Sequence, residues 1–208
     1  MPLFPKMMIM ITIGACALVA FRRFGARRKT VLPTCLAMFF GWTGDILLTF
    51  AGMTWFLLGM LSFFVGHVFY IRTFVRLAAP GPVPSGSGKR GWIALLVALY
   101  VLAGGIVALL NVRGAFFLPV FLYASALMTL IFSSLYGTVT RRSGRLALCL
   151  AGACLFTVSD ALIGIDVFSG ISFAGRGTLV IVTYIIAQAL IATGIVLEER
   201  ASLRMERN

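Results

Sequence analysis

Long apolar runs alternate with short polar breaks along the whole chain. Seven runs stand out: residues 7–21, 31–51, 54–75, 92–110, 116–138, 146–166 and 174–197. One helix needs roughly 20 mostly apolar residues to cross a bilayer, and most of the runs are near that length. The first is short, and Arg22 and Arg23 at its end must snorkel to the interface. Backbone polar groups in hydrocarbon must be satisfied within their own segment, so each run predicts a helix. The expectation is an all-α membrane protein with a bundle of about seven transmembrane helices, eight being the alternative count. The breaks other than residues 80–91 are short, so the helices they join should be antiparallel neighbours. Residues 1–208 read as one domain. The stretch 80–91 (PGPVPSGSGKRG) reads as a flexible cytoplasmic loop, and 198–208 as a cytoplasmic tail.

Composition agrees with this pattern. Of 208 residues, 61% are hydrophobic and 12% charged, whereas soluble domains are nearer half apolar and a quarter charged. The net charge of +12 changes the picture only through its placement. Fifteen of the 18 basic residues fall on one side of the expected bundle: Arg22, Arg23, Arg27, Arg28, Lys29, Arg72, Arg76, Lys89, Arg90, Arg141, Arg142, Arg145, Arg200, Arg204 and Arg207. Lys6, Arg113 and Arg176 fall on the other. Positive-inside asymmetry then puts the N-terminus outside and the C-terminus in the cytoplasm. The basic balance reflects topology and contact with anionic lipid headgroups, not nucleic acid. Cys16, Cys35, Cys149 and Cys154 all lie in apolar runs and read as small buried hydrophobes. The first run has its positive flank after the apolar stretch, which argues against a signal peptide.

The candidate chemistry lies in a few polar residues inside these runs. Asp45 and Asp160 are each embedded in one, and Asp166 sits at the outer edge of the second. A carboxylate at the bilayer centre costs about 3 kcal/mol on insertion scales and normally faces a protein interior or a wet cavity. Interhelical glue can be made more cheaply from Ser, Thr or Asn, so the two embedded aspartates read as functional. At 1.5 Å per residue, both lie roughly 5 Å outward of their span centres, with Tyr123 near the same layer. His67, the sole histidine, and Gln188 lie about 5 Å inward of the midplane, and Tyr184 is central. His67 and Tyr70 share a helix face, as do Tyr184 and Gln188. The expectation is a polar column, with His67 roughly 10 Å from the aspartate layer unless a helix tilts. Trp42, Trp55 and Trp92 read as interface anchors.

Several chemistries are excluded. One histidine and no glutamate inside the runs rule out a multi-histidine zinc centre. No lysine lies in a run, so no retinal Schiff base can form. Neither a GxSxG elbow nor a P-loop is present. Ser159 and Asp160 are adjacent on a helix and point apart. Carboxylate chemistry without metal or cofactor is what remains. Two carboxyls at one depth in a low dielectric do not both ionise cheaply, so one is expected to keep its proton. Such a pair suits cleavage through an oxocarbenium-like cation. It suits proton-coupled transport equally. A short echo between Phe40-x-x-x-Gly44-Asp45-x-Leu47 and Leu155-x-x-x-Ser159-Asp160-x-Leu162 fits the transport reading, although chance suffices to explain so few positions.

Four motifs in order carry a resemblance. Gly44-Asp45, then Phe63, His67 and Tyr70, then Ser159-Asp160, then Thr183-Tyr184 and Ala187-Gln188 resemble the patterns of the YhhN family, also called the lysoplasmalogenase family. Gly164 stands where the pattern often has Ala, and Ile185 replaces a second tyrosine. The resemblance implies hydrolysis of the vinyl ether bond of a lysoplasmalogen to a fatty aldehyde and a glycerophospho-base, with a lysophospholipid substrate drawn from the bilayer. It casts Asp45 and Asp160 as an acid–base pair. His67, Tyr184, Gln188 and Tyr123 would position water or substrate, and Tyr70 would support His67. A proton-coupled transporter or flippase is the alternative. The expected setting is a bacterial inner membrane.

Overall fold

The structure is a computed structural model that describes residues 3–79 and 85–207, with side chains from residue 8 onward. Residues 80–84 of the expected loop, the side chain of Lys6 and Asn208 lie outside the described residues. The described chain is helical throughout, with no strand: α1 (Leu3–Phe24), α2 (Arg28–Leu47), α3 (Met53–Ala78), α4 (Ser87–Leu109), α5 (Phe117–Arg141), α6 (Gly144–Ser169) and α7 (Arg176–Arg207). One 3-10 turn, Gly114–Phe116, leads into α5. Six of the seven, α2 to α7, are long and apolar enough to cross a membrane, so this is an integral multi-pass membrane protein.

Packing closes a ring in the order α1, α2, α3, α5, α6, α7 and back to α1. α3 also meets α7 across the ring, while α4 lies outside it, packed on α5. Only Ala103 and Val107 of α4 are buried. Its outward residues, among them Val97, Val101 and Leu109, are apolar, which suits contact with lipid tails. The ring interior therefore belongs to α2, α3, α5, α6 and α7, the helices that carry the polar residues of the sequence motifs.

Helices in lipid gain little from hydrophobicity and associate through close packing, which small residues permit. α6 and α7 meet this way. A Cβ on Gly152 would lie 2.7 Å from the Ala187 carbonyl oxygen, and one on Gly194 would lie 2.5 Å from Cys149 Sγ and 2.8 Å from the Arg145 carbonyl oxygen. Backbone atoms cannot step aside, so Gly194→Ala should cost about 1–3 kcal/mol by overpacking. Thermal unfolding in detergent should show a lower midpoint for Gly194→Ala and no change for Gly105→Ala, where a Cβ meets open space.

Three boundaries differ from the sequence expectation. α2 stops at Leu47, because the link to α3 turns at residues 48–50 and passes through Gly52 at φ 112°. α4 begins at Ser87, so residues 87–91 of the expected loop are helical. The charged stretch 198–207 continues α7 instead of leaving the bundle. Glu198 and Glu199 in it are fully buried. Glu199 accepts from Arg27 Nε at 2.8 Å and from Thr30 at 2.8 Å, at the α1–α2 turn. Arg76 at the end of α3 donates to the same threonine. Glu198 accepts from Ser143 at 2.6 Å and Arg145 at 2.9 Å, and pairs with Arg141 at 3.4 Å, at the α5–α6 turn. Arg141 also donates to the Leu77 carbonyl at 2.8 Å. One pair of adjacent carboxylates thus fastens both turns of the Arg-rich end to α7.

The hydrogen bond to Glu199, with the charges of Glu199 and Glu206, raises the Arg27 guanidinium above its ordinary range despite partial burial. A raised cation contributes its stability fully at every pH below its unfolded value and loses it only in strong alkali. The four cysteines are free thiols. Cys149 is buried and Cys35 half-buried, but Cys16 and Cys154 are exposed on the helix surface instead of in the core, a correction to the expectation.

Candidate active site

Asp45 and Asp160 reach the interior by different routes. Asp45 is two residues from the end of α2 and 3% exposed. Asp160 lies nine residues before the end of α6 and is half-buried. Counting from span centres put both at one depth; the early end of α2 removes the basis of that count. What relates them is a pair of tyrosines. Tyr123 of α5 donates to Asp160 Oδ2. The Tyr184 hydroxyl of α7 faces Asp45 and Gln188. Tyr123 lies within electrostatic reach of Asp160, Tyr184 and Asp45 together, so the two carboxylates and two phenols form one cluster.

Local sequence explains how α2 enters it. Gly41 leaves room for Gln188 Nε2 and the Tyr184 hydroxyl, each 3.4 Å from where its Cβ would be. Gly44 lets the Phe63 ring lie against the backbone, where a Cβ would come within 2.7 Å of it. A larger residue at position 44 would push α2 and its aspartate off α3. Ser159, beside Asp160, donates to the Val180 carbonyl at 3.0 Å and ties α6 to α7. It takes no part in the cluster's polar contacts.

His67 does not stand apart, as the depth count suggested. Its ring is 5.5 Å from that of Tyr123 and 4.7 Å from that of Phe156, both edge to face. Phe156 is one helical turn from Asp160 on α6, so the gap to the carboxyl is smaller than the depth count gave. The Tyr123 side chain spans it, with its ring on His67 and its hydroxyl on Asp160. His67 is 1% exposed, and among the described residues neither ring nitrogen has a hydrogen-bond partner. A neutral imidazole offers one donor and one acceptor there.

Tyr70 does not support His67, contrary to the expectation. Its hydroxyl donates to Gln188 Oε1 at 2.6 Å, and its ring stacks on Phe74. A phenol and an amide satisfy each other well in a dry interior, and this pair closes the inner end of the column. Asp166 is a rim residue, paired with Arg176 at 2.6 Å.

Two phenylalanines complete the cluster. Phe63, Phe156 and Tyr184 meet edge to face with centroids 5.2–6.1 Å apart. With His67 and Tyr123 they make an aromatic wall next to the carboxylates. Phe63 belongs to a motif, but Phe156 was not singled out. The available signal was spacing: Phe63 precedes His67, and Phe156 precedes Asp160, by four residues on one helix face.

A cavity of about 100 Å³ opens between α3, α4, α5 and α6. Tyr123, Thr157 and Asp160 are its polar residues, and its apolar wall includes Met60, Phe63, Val107 and Leu127. Asp160 faces this space; Asp45 does not line it. Among the described residues, no group of three His, Cys, Asp or Glu side chains is placed to hold a metal. An apolar cavity with one carboxyl group in its wall can receive a hydrocarbon segment and deliver a proton to it.

A family model describing the YhhN family matches residues 2–195. The chain therefore belongs to the YhhN family. No curated protein and no solved structure matches the chain significantly.

Proposed function

We propose that this YhhN-family membrane protein hydrolyses the vinyl ether bond of a lysoplasmalogen, taken from the bilayer of a bacterial inner membrane. The observation that carries the reading is the cavity itself: an apolar space of about 100 Å³ whose one charged residue is Asp160, backed by a second carboxylate and an aromatic wall. Hydrolysis of R–CH=CH–O–R′ needs a proton on the carbon β to oxygen. That step creates an oxocarbenium ion; water adds and gives up one proton, which restores the acid, and the hemiacetal collapses to R–CH2–CHO and HO–R′.

Each part of the cluster has a place in this sequence. Asp160, in the cavity wall, delivers the proton. Two carboxyls near each other in a low dielectric do not both ionise cheaply, so the pair holds one proton, and Asp160 is the member that the cavity presents to a substrate. Asp45 stays the anion and stabilises the developing cation across the tyrosines. Tyr123 fixes the orientation of the Asp160 carboxyl. His67 offers a donor and an acceptor for the attacking water, and Tyr184 and Gln188 hold its path toward Asp45. Phe63, a residue of the cavity wall, adds cation–π attraction to the oxocarbenium. No metal or cofactor is required. Anionic lipid headgroups would surround the Arg-rich end.

Two measurements follow. Purified protein given a 1-alkenyl lysophospholipid should release free aldehyde, and should leave the matched 1-acyl lysolipid intact. Release of fatty acid from the acyl lipid without aldehyde from the alkenyl one would end this reading. Phe63→Leu keeps an apolar wall but loses the ring face, worth about 1 kcal/mol toward a cation, so kcat should fall about fivefold. An unchanged kcat would remove Phe63 from the mechanism.

A further inference from the structure

We propose that the cleft between α3 and α5 is the side entrance through which a single hydrocarbon chain leaves the bilayer, and that Met60 and Tyr123 form the door between this cleft and the Asp160 cavity. The proposal rests on the functional reading above for the identity of the chain's headgroup, but not for the route. A second cavity, of about 530 Å³, lies along the first half of α3 and the start of α5. Its lining residues are apolar except for Thr54 and Tyr123. Leu58, Leu61, Leu118 and Leu122 in those walls are 42–61% exposed, so the cleft opens sideways, where lipid tails run. Met60 and Tyr123 line both this cleft and the Asp160 cavity. Methionine is unbranched and can change rotamer at small cost, which suits a movable partition. Tyr123 has a fixed partner in Asp160, so opening falls to Met60.

A chain moving from lipid into an apolar cleft gains no hydrophobic energy, because both surroundings are apolar. The cleft therefore selects by access and shape, and a block should act on entry. A third cavity, of about 370 Å³, lies at the other end of α3 and α5 and includes Val75. It shares neither Met60 nor Tyr123 and has no path to Asp160 through them. Val75 is 56% exposed and provides a control position that faces lipid.

The test uses the full chain in nanodiscs with a 1-acyl lysophospholipid that carries a diazirine in mid-chain. This probe has no vinyl ether to cleave, so labelling does not depend on catalysis. In the wild type, adducts are expected on Leu58 or Leu122 in the cleft and on Val107 or Met128 in the inner cavity. In Met60→Trp the inner adducts should fall about tenfold while the cleft adducts remain. Leu122→Trp, at a lipid-facing site that tolerates bulk, should lower both. Val75→Trp should lower neither. In parallel, Met60→Trp should raise KM for a long-chain alkenyl lysolipid about tenfold with a smaller change in kcat. Inner labelling that survives both Met60→Trp and Leu122→Trp overturns the route, whatever the activity. Labelling that behaves as expected in a protein that releases no aldehyde overturns the functional reading and leaves the route in place.

Discussion

Asp160→Asn is expected to fold and insert normally and to lose aldehyde release by about a thousandfold, the scale of removing a positioned general acid. Asparagine has nearly the shape of aspartic acid, and its amide oxygen can still accept from Tyr123. The cavity and the aromatic wall should therefore survive, and only the transferable proton is gone. Asp45→Asn should cost less, about a hundredfold, because it removes a stabilising charge and not the proton donor. The two losses should not add fully, since both groups act on one transition state. Tyr123→Phe separates positioning from chemistry. It leaves both carboxyls in place and frees Asp160 to rotate, so it should lower kcat by about tenfold. Turnover near that of the wild type in either aspartate variant, with intact folding, would remove the dyad.

The largest expected effect on stability lies far from that site. Glu199→Ala leaves Arg27 and Thr30 without their shared acceptor at the α1–α2 turn. Glu198→Ala does the same to Ser143, Arg145 and Arg141 at the α5–α6 turn. Removing one member of a buried ion pair costs about 3–5 kcal/mol, and the low end applies here because Arg27 and Arg145 can turn toward water. Each single variant should therefore lose about 3 kcal/mol, read as a lower unfolding midpoint in detergent. The two acids hold different turns, so their effects should be close to additive. The kcat of the surviving folded fraction should stay unchanged. A double variant as stable as the wild type would show that these pairs only decorate the surface.

Much of the fold was legible because hydropathy and charge repeat along the chain. The seven runs and the gathering of 15 basic residues at one end follow from backbone satisfaction and topology. The ring order did not follow, because it depends on which faces meet. Gly137 of α5 against Ala78 of α3, with the Arg141 bond to the Leu77 carbonyl, joins two helices that skip α4, and a glycine carries no directional signal by itself. The buried Glu198 and Glu199 were misread for a related reason. A charged C-terminal stretch looks solvated until its partners, 53 to 172 residues away, are known to fold onto it.

The site shows the same division. Asp45, Asp160, His67, Tyr184 and Gln188 stood out because polarity is costly in lipid. Their mutual contacts did not, since depth along separate helices ignores where each helix ends. α2 stops at Leu47, and the reach of the Tyr123 side chain joins His67 to Asp160. The partner of Tyr70 was also hidden: two residues on one face of α3 seemed to belong together, yet the phenol bonds across the ring to Gln188 of α7.

The central claim is that this cluster protonates the carbon β to the vinyl ether oxygen of a lipid, so that the vinyl carbon–oxygen bond breaks after water has added. The most direct measurement is incubation of the purified wild-type protein with a 1-alkenyl lysophospholipid in water enriched in oxygen-18, followed by mass analysis of both products. Addition of water to the oxocarbenium ion leaves the glycerol oxygen where it began. The predicted result is free aldehyde together with a glycerophospho-base that carries no heavy oxygen. Heavy oxygen in the glycerol product, or no aldehyde at all from folded protein, would contradict it.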